Sequence, residues 1–424
     1  MVHKTIKIGM GSGVIRFPAS LFPTEGFCGV HDDPKIRIML LRNGISFALV
    51  SCEMVMLPDE LIEQMKKSVQ EIASVSAENV WVHMTHAIST PHLPGTIPFP
   101  PSNDSSQIVE EKQKAYCTAV ESALKEAVKE AVFSLQEATL RVGRGICDIN
   151  CNRDEKTPFG WWVGPGSDGK SNKIMTVLRA ENIDGKLLGL LISYGLKPCV
   201  LDNSGMMDGT RQVSSDVTGY ACAKLEQHLG VPVMFCMAAA GDQIPRNMAL
   251  YEKVNTEGYP EYVDLGVEYG FEKVKELGNK MALDALRIAE EIQDIQENTL
   301  ITKVETQFTW PSKSRSQMCP TKELAYRADG KQCVKVSALQ IGDIALVAVK
   351  PEVNAITEEE LWAVSPFDTT LLLSLVNGGM KYMPDRASYD KFTWESQSAI
   401  LMPGAAEQFV CTAAELLNHL KEGS

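Results

Sequence analysis

Concentrated positive charge is missing from this 424-residue chain. Lys and Arg number 41 against 54 Asp and Glu, a net charge of −13, and no basic block or Arg-rich stripe occurs. A nucleic-acid partner needs such a patch, so that class is excluded. Long apolar runs are also missing. None approaches the roughly 18 residues of a membrane span, and the opening MVHKTIKIGMGSG has no apolar core of signal-peptide length. These absences predict no membrane partner and a cytoplasmic location. Paired cysteines are lacking too: the eleven cysteines are odd in number and irregularly spaced. Cys147 and Cys151 have no second pair to complete a zinc ribbon, so the cysteines read as reduced, buried, small apolar side chains. Sequence repeats, low-complexity tracts and clean linkers are absent. Residues 1–424 therefore read as one catalytic-type unit, long enough for two lobes, that acts on a small molecule and is free to oligomerise.

Histidine is scarce, yet three of the seven fall within Val80–Gly95, VWVHMTHAISTPHLPG. Val80, Val82, Met84 and His86 alternate onto one face, and Trp81, His83 and Thr85 onto the other, the period of a strand. Ser89, Thr90, Pro91, His92 and Pro94 then prevent its extension. A histidine at a strand-to-loop exit is where α/β proteins commonly place chemistry. His83 lies on the opposite face to His86 and is set aside as a structural histidine.

The remaining chain predicts an α/β fold of mixed sheets flanked by helices. Ile6–Val14 reads as a strand whose glycines do not form a dinucleotide fingerprint, because Pro18 follows too closely. Lys35–Leu41 and Ile45–Cys52 form a hairpin around Asn43-Gly44. Helical periods cover Leu57–Ala73, 105–135, 214–230, 263–292 and 405–420. Further strands are predicted at 138–149, 173–180, 186–194, 231–237, 302–310, 333–340, 344–349 and 369–376. Asn152–Ser171 shows no period and reads as a loop whose Trp161 and Trp162 would form a lid or substrate wall. Asp216 reads as a helix N-terminal charge.

Five strand exits carry polar residues: His86, Lys197, Asp242, Glu352, and the segment from Asn377 to Tyr382. Their order and wording are MTHAISTP at 84–91, NRD at 152–154, YGLKPCV at 194–200, SSDVTGYACAKLE at 214–226 and AAAGDQIP at 238–245. They continue as KPE at 350–352, NGGMKYMP at 377–384, WES at 394–396 and PGAAEQ at 403–408. This ordered set resembles the amidase domain of the neutral/alkaline ceramidase family across most of the chain. The resemblance implies the α/β fold of that domain and a zinc ion held by His86, the Lys197 position, Glu352 and Tyr382. It also places Arg153 on a substrate-binding arginine, Ile88 on a second active-site histidine, and Trp394 on a further active-site tyrosine.

Three positions depart from that pattern, Ile88, Lys197 and Trp394. An ammonium about 4 Å from a divalent ion is repelled by about 8 kcal/mol at an effective dielectric of about 20. Deprotonating a lysine at pH 7 costs only about 4.6 kcal/mol. Three arrangements follow. Zinc or another divalent metal is bound by His86, Glu352 and Tyr382 beside a neutral or modified Lys197. Alternatively, His92 supplies the missing imidazole. In the third, no metal is held and Lys197 fills its place, paired with Glu352. The function implied is a hydrolase of a small polar amide that is not a true ceramidase, because the chain lacks the family's C-terminal immunoglobulin-like domain. Lys197, Tyr382, Arg153 and Glu352 would be its catalytic groups, and Trp161, Trp162, Trp394, His92 and Asp242 would contact substrate. The alternatives are a lysine-dependent isomerase, lyase or glycoside-processing enzyme, and a non-catalytic binding relative.

Overall fold

Three successive strands that pair antiparallel, a helix, a fourth strand parallel to the third, and a closing helix make up a unit that this chain builds three times. The computed structural model describes residues 6–97, 104–164, 169–293, 295–296, 299–316 and 318–423. In the first unit Ile6–Val14, Lys35–Asn43 and Ile45–Cys52 pair antiparallel, and Val80–Met84 returns parallel beside the third after the Asp59–Ala73 helix. The second runs Gln136–Ile146, Ile174–Asn182 and Leu187–Tyr194, then the Asp216–Leu229 helix and parallel Val233–Met237. The third runs Ile301–Ser312, Gly330–Ile341 and Ile344–Val349, then the Ala355–Val364 helix and parallel Thr369–Leu373. Helices Ser106–Phe133, Val267–Glu291 and Ala405–Glu422 close the three units. A shared topology needs only matching strand and helix order, so it persists where no sequence motif repeats.

Pairing of Ile6–Ile8 with Gln136–Ala138 joins the first two units into one eight-stranded sheet. Alternating side chains then sort the chain into four layers. Ile38, Val50, Val82 and Ile192 face the helices of the first two units. Ile8, Met39, Trp81 and Leu191 face Leu339, Leu346 and Leu371 of the four-stranded sheet. The other face of that sheet, with Val336 and Val347, packs on Phe409 and Leu417 of the last helix. The alternate glycines of the first strand serve packing. A Cβ on Gly9, Gly11 or Gly13 would stand 2.0, 2.1 or 1.9 Å from the carbonyl oxygens of Ala131, Ala127 and Ala123. Their absence lets the 28-residue helix rest directly on the strand.

Several elements differ from the sequence reading. Asp154–Thr157 and Gly160–Val163 form a hairpin of short strands where a loop is predicted, and Asn150–Asn152 is a short strand at its start. Residues 165–168 of that loop lie outside the described residues, as do residues 98–103. The helix predicted from 263 begins at Val267, because Pro260–Asp264 pairs with Leu250–Val254 instead. The strand predicted through 376 stops at Leu373, since Leu375 turns left-handed (φ 53°). Among the described residues no helix is long and apolar enough to cross a membrane.

Candidate active site

The ends of the three fourth strands meet at His83. Its Nε2 accepts from the Met237 backbone N–H at 3.0 Å, and its backbone forms a bridge with Val376. Ser374 N–H donates to the Met237 carbonyl at 3.2 Å. Fully buried, the imidazole is pushed down to about 3 by burial, against the Met237 hydrogen bond, and is neutral at ordinary pH. His83 is thus a structural hub, in line with its place on the far face of the strand.

Around that hub the chain exits hold strained turns. His86, Asp202, Leu375, Asn377 and Lys381 all adopt positive φ, a conformation that side chains other than glycine reach at a cost of order 1–3 kcal/mol. Surrounding hydrogen bonds hold them there. His86 N–H donates to the Met54 carbonyl at 3.1 Å, and Asn377 continues the first sheet's ladder by exchanging bonds with Val82 at 2.7 and 3.0 Å. Asp216 opens its helix, as expected, and is at the same time a fully buried brace. Its carboxylate accepts from Val200, Leu201 and Val217 N–H at 3.1, 3.0 and 2.6 Å, and so fixes the exit that carries Lys197.

Four of the predicted residues come together. Lys197 Nζ, 1% exposed, lies 3.0 Å from Glu352 Oε2 and donates to the Tyr382 hydroxyl at 2.9 Å. His86 Nδ1 stands 3.2 Å from the same Glu352 oxygen. Glu352 and Tyr382 are neighbours in a short parallel pairing, Glu352 with Tyr382 and Val353 with Met383. Burial opposes ionisation of Glu352, but His86 and Lys197 overcome it and bring its acid down to about 2. Burial likewise opposes the Lys197 ammonium, and Glu352 outweighs it, so the lysine stays charged. Burial lowers His86, partly offset by Glu352 and reinforced by Lys197. The imidazole is therefore neutral at pH 7, and one side of it retains solvent access (13% exposed).

Arg153 forms the next wall. Its guanidinium carbon lies 4.7 Å from the Trp394 ring centroid and 5.4 Å from that of Tyr382, whose rings meet edge to face at 5.2 Å. Its Nε and Nη2 both turn to one oxygen of Glu395. Half-buried Trp161 on the neighbouring hairpin carries Lys391 against its ring at 4.8 Å.

The other predicted contacts are each turned to a partner of their own. Trp162 turns inward and donates to Glu252 at 2.7 Å. His92 is held by Glu25 at 3.0 Å through Nδ1. Asp242 accepts from Ala355 N–H at 2.9 Å and Asn152 Nδ2 at 2.8 Å, bracing the start of the third unit's helix. Among the described residues no group of three His, Cys, Asp or Glu donors converges. Glu395 and Asp154 were missed as site residues. The signal available for Glu395 is that it is the lone charge in TWESQSAIL.

No family model and no curated protein matches the chain. Solved structures do. The neutral ceramidase of Pseudomonas aeruginosa is similar with a TM-score of 0.73 at 14% identity, covering 99% of this chain and 75% of that one. A ceramidase complexed with C2 gives 0.74 at 15% over the same shares. The chain thus has the neutral-ceramidase-like α/β fold, as its ordered strand exits imply.

Proposed function

We propose that this protein is a metal-independent hydrolase of small polar amides in which the Lys197 ammonium takes the electrophile's place. The observation that carries the reading is Lys197 Nζ, 3.0 Å from Glu352 Oε2 and 2.9 Å from the Tyr382 hydroxyl. The donor set does not fit a divalent ion. Zinc needs three or four convergent neutral or anionic ligands. Here the Glu352 oxygen that would face it is already shared by an ammonium and His86, and His92 is turned to Glu25.

The chemistry follows from the protonation states. Neutral His86, oriented by Glu352 at Nδ1, accepts a proton at Nε2 from a water that attacks the amide carbonyl. Negative charge forms on the carbonyl oxygen. Lys197, hydrogen-bonded to Tyr382 and ion-paired with Glu352, meets that charge with a remaining N–H. Collapse breaks the C–N bond, and protonated His86 returns its proton to the departing nitrogen. Glu352 stabilises the transient imidazolium. Arg153 and Trp394 border the substrate, and the narrow access at His86 supports a small one.

A fold shared with ceramidases favours amide hydrolysis over the lysine-amine alternatives. So does the charge on Lys197, because Schiff-base and general-base chemistry need the neutral amine, which Glu352 opposes. The test is hydrolysis of a panel of short N-acyl amides and anilides by protein dialysed against chelator. Activity should survive with substoichiometric metal, and Lys197→Met should lower kcat about 10²–10³-fold, the loss typical of one oxyanion donor. Activity that disappears on chelation and returns with zinc would overturn the reading.

A further inference from the structure

Behind Arg153 lies a charge imbalance that the proposed reaction does not use. Three buried carboxyls, on Glu395, Asp154 and Asp242, act on one another here, and Glu395 ion-pairs the guanidinium; Glu395 is fully buried, and the other two are 8% and 5% exposed. Arg153 Nε donates to one oxygen of Glu395, Oε1, and Nη2 is ion-paired with the same oxygen. The other oxygen, Oε2, and Oδ1 of Asp154 are both buried without an N–H or O–H donor, yet the two carboxyls are in side-chain hydrogen-bond contact. Two carboxylate oxygens in contact away from water repel unless a proton lies between them.

We infer that Asp154 is the protonated member of an acid–carboxylate pair with Glu395, and that this shared proton is what holds Arg153 in place against Tyr382 and Trp394. Asp154 is a positioning residue, acting through Glu395 and Arg153. The charges around the pair agree with the assignment. Arg153 on the same hairpin faces Glu395 and keeps it ionised against its burial. Asp154 meets burial, Glu395 and Asp242, all of which raise its acid, and only Arg153 opposes them. Asp242, from the exit after Val233–Met237, is itself pushed up to about 7 by burial. Glu352, from the exit after Ile344–Val349, also favours the charge on Arg153. With one proton the Arg153–Glu395–Asp154 group is neutral. Without it, a second negative charge would compete for the guanidinium and pull it off the aromatic pair.

The assignment goes beyond the hydrolytic reading, and its test reads protonation, not turnover. The infrared spectrum of the wild-type protein at pH 8.5 should contain a carboxylic-acid carbonyl band that is lost in Asp154→Asn and kept in Asp242→Asn. Asn preserves a donor to Glu395, so its intrinsic tryptophan fluorescence should stay constant at alkaline pH, where the wild type changes as Asp154 ionises and Arg153 leaves Trp394. An unchanged band in Asp154→Asn, or identical fluorescence titrations, would overturn the proposal. If Asp154→Asn does not fold, wild-type protein labelled with ¹³C at the aspartate carboxyls answers the same question. One resonance should stay at its protonated position at pH 8.5, where Asp216 and Asp242 have ionised; ionised positions for all aspartates would overturn the assignment.

Discussion

The third strand of each unit ends on a charged group or runs into one within a turn, and these exits behave differently. In the first unit the residue is Glu53. It accepts from Lys35 N–H at 2.8 Å and from Arg37 Nη1, while Nε and Nη2 of Arg37 turn to Glu226 at 2.6 and 3.2 Å. Every side of that guanidinium is taken, and the network ties a strand to the Asp216–Leu229 helix. In the second and third units the exits carry Lys197 and Glu352, which face each other beside a neutral, partly accessible His86. Both networks bury a cation almost completely, Arg37 at 2% and Lys197 at 1%. Burial and ion pairing therefore do not separate a structural network from a site. Leftover hydrogen-bonding capacity, strained turns and an accessible base do.

Breaking the cation tests this contrast most strongly. Arg37→Met leaves buried Glu53 without a cationic partner, while Glu226 keeps Lys35, and should cost about 3–5 kcal/mol of stability, read by urea unfolding, with unchanged activity per folded molecule. Lys197→Met should show the reverse balance, with its main effect on turnover. An Arg37→Met protein that unfolds at the wild-type midpoint would erase the distinction.

Acid titration gives the next largest effect. The Glu352 acid falls from 4.5 to about 2 in the folded protein, so its stabilisation is complete above its unfolded value and is lost as pH falls from about 4.5 towards 2. The total is on the order of 3 kcal/mol. Stability measured against pH should therefore drop less steeply across that window in Glu352→Gln than in the wild type. Equal slopes would remove Glu352 as an ionised partner.

The smallest effect compares the first strands. Gly11 faces the backbone carbonyl of Ala127 at 2.1 Å from its would-be Cβ, whereas Gly145 of the second unit faces the Ile288 side chain at 2.5 Å. A side chain can change rotamer and a helix backbone cannot. Gly11→Ala should thus cost about 1–3 kcal/mol in thermal unfolding, and Gly145→Ala less. A larger loss at Gly145 would contradict that account.

Much of this was legible in the sequence for a local reason. Alternation marked the strands, Asn43-Gly44 marked a hairpin, and polar residues at apolar strand ends marked His86, Lys197, Glu352 and Tyr382, which the structure brings together. The hairpin at 154–163 was missed because its strands are too short to show a period. The facing of Trp162 and His92 was not legible because it is set by partners far away in sequence, Glu252 and Glu25. Glu395 escaped notice because its partner, Arg153, lies 242 positions earlier.

The sequence by itself determined the element types, the α/β class and which residues stand at strand exits, since these depend on side-chain period and turn chemistry within a few residues. Tertiary structure alone decided that three units share one topology, that alternate glycines seat a helix on a strand, and that His83 joins the units. It also decided that Lys197 meets Glu352 and Tyr382. Those outcomes depend on distances between residues more than a hundred positions apart, and a buried charge takes its protonation state from neighbours that only the folded chain supplies.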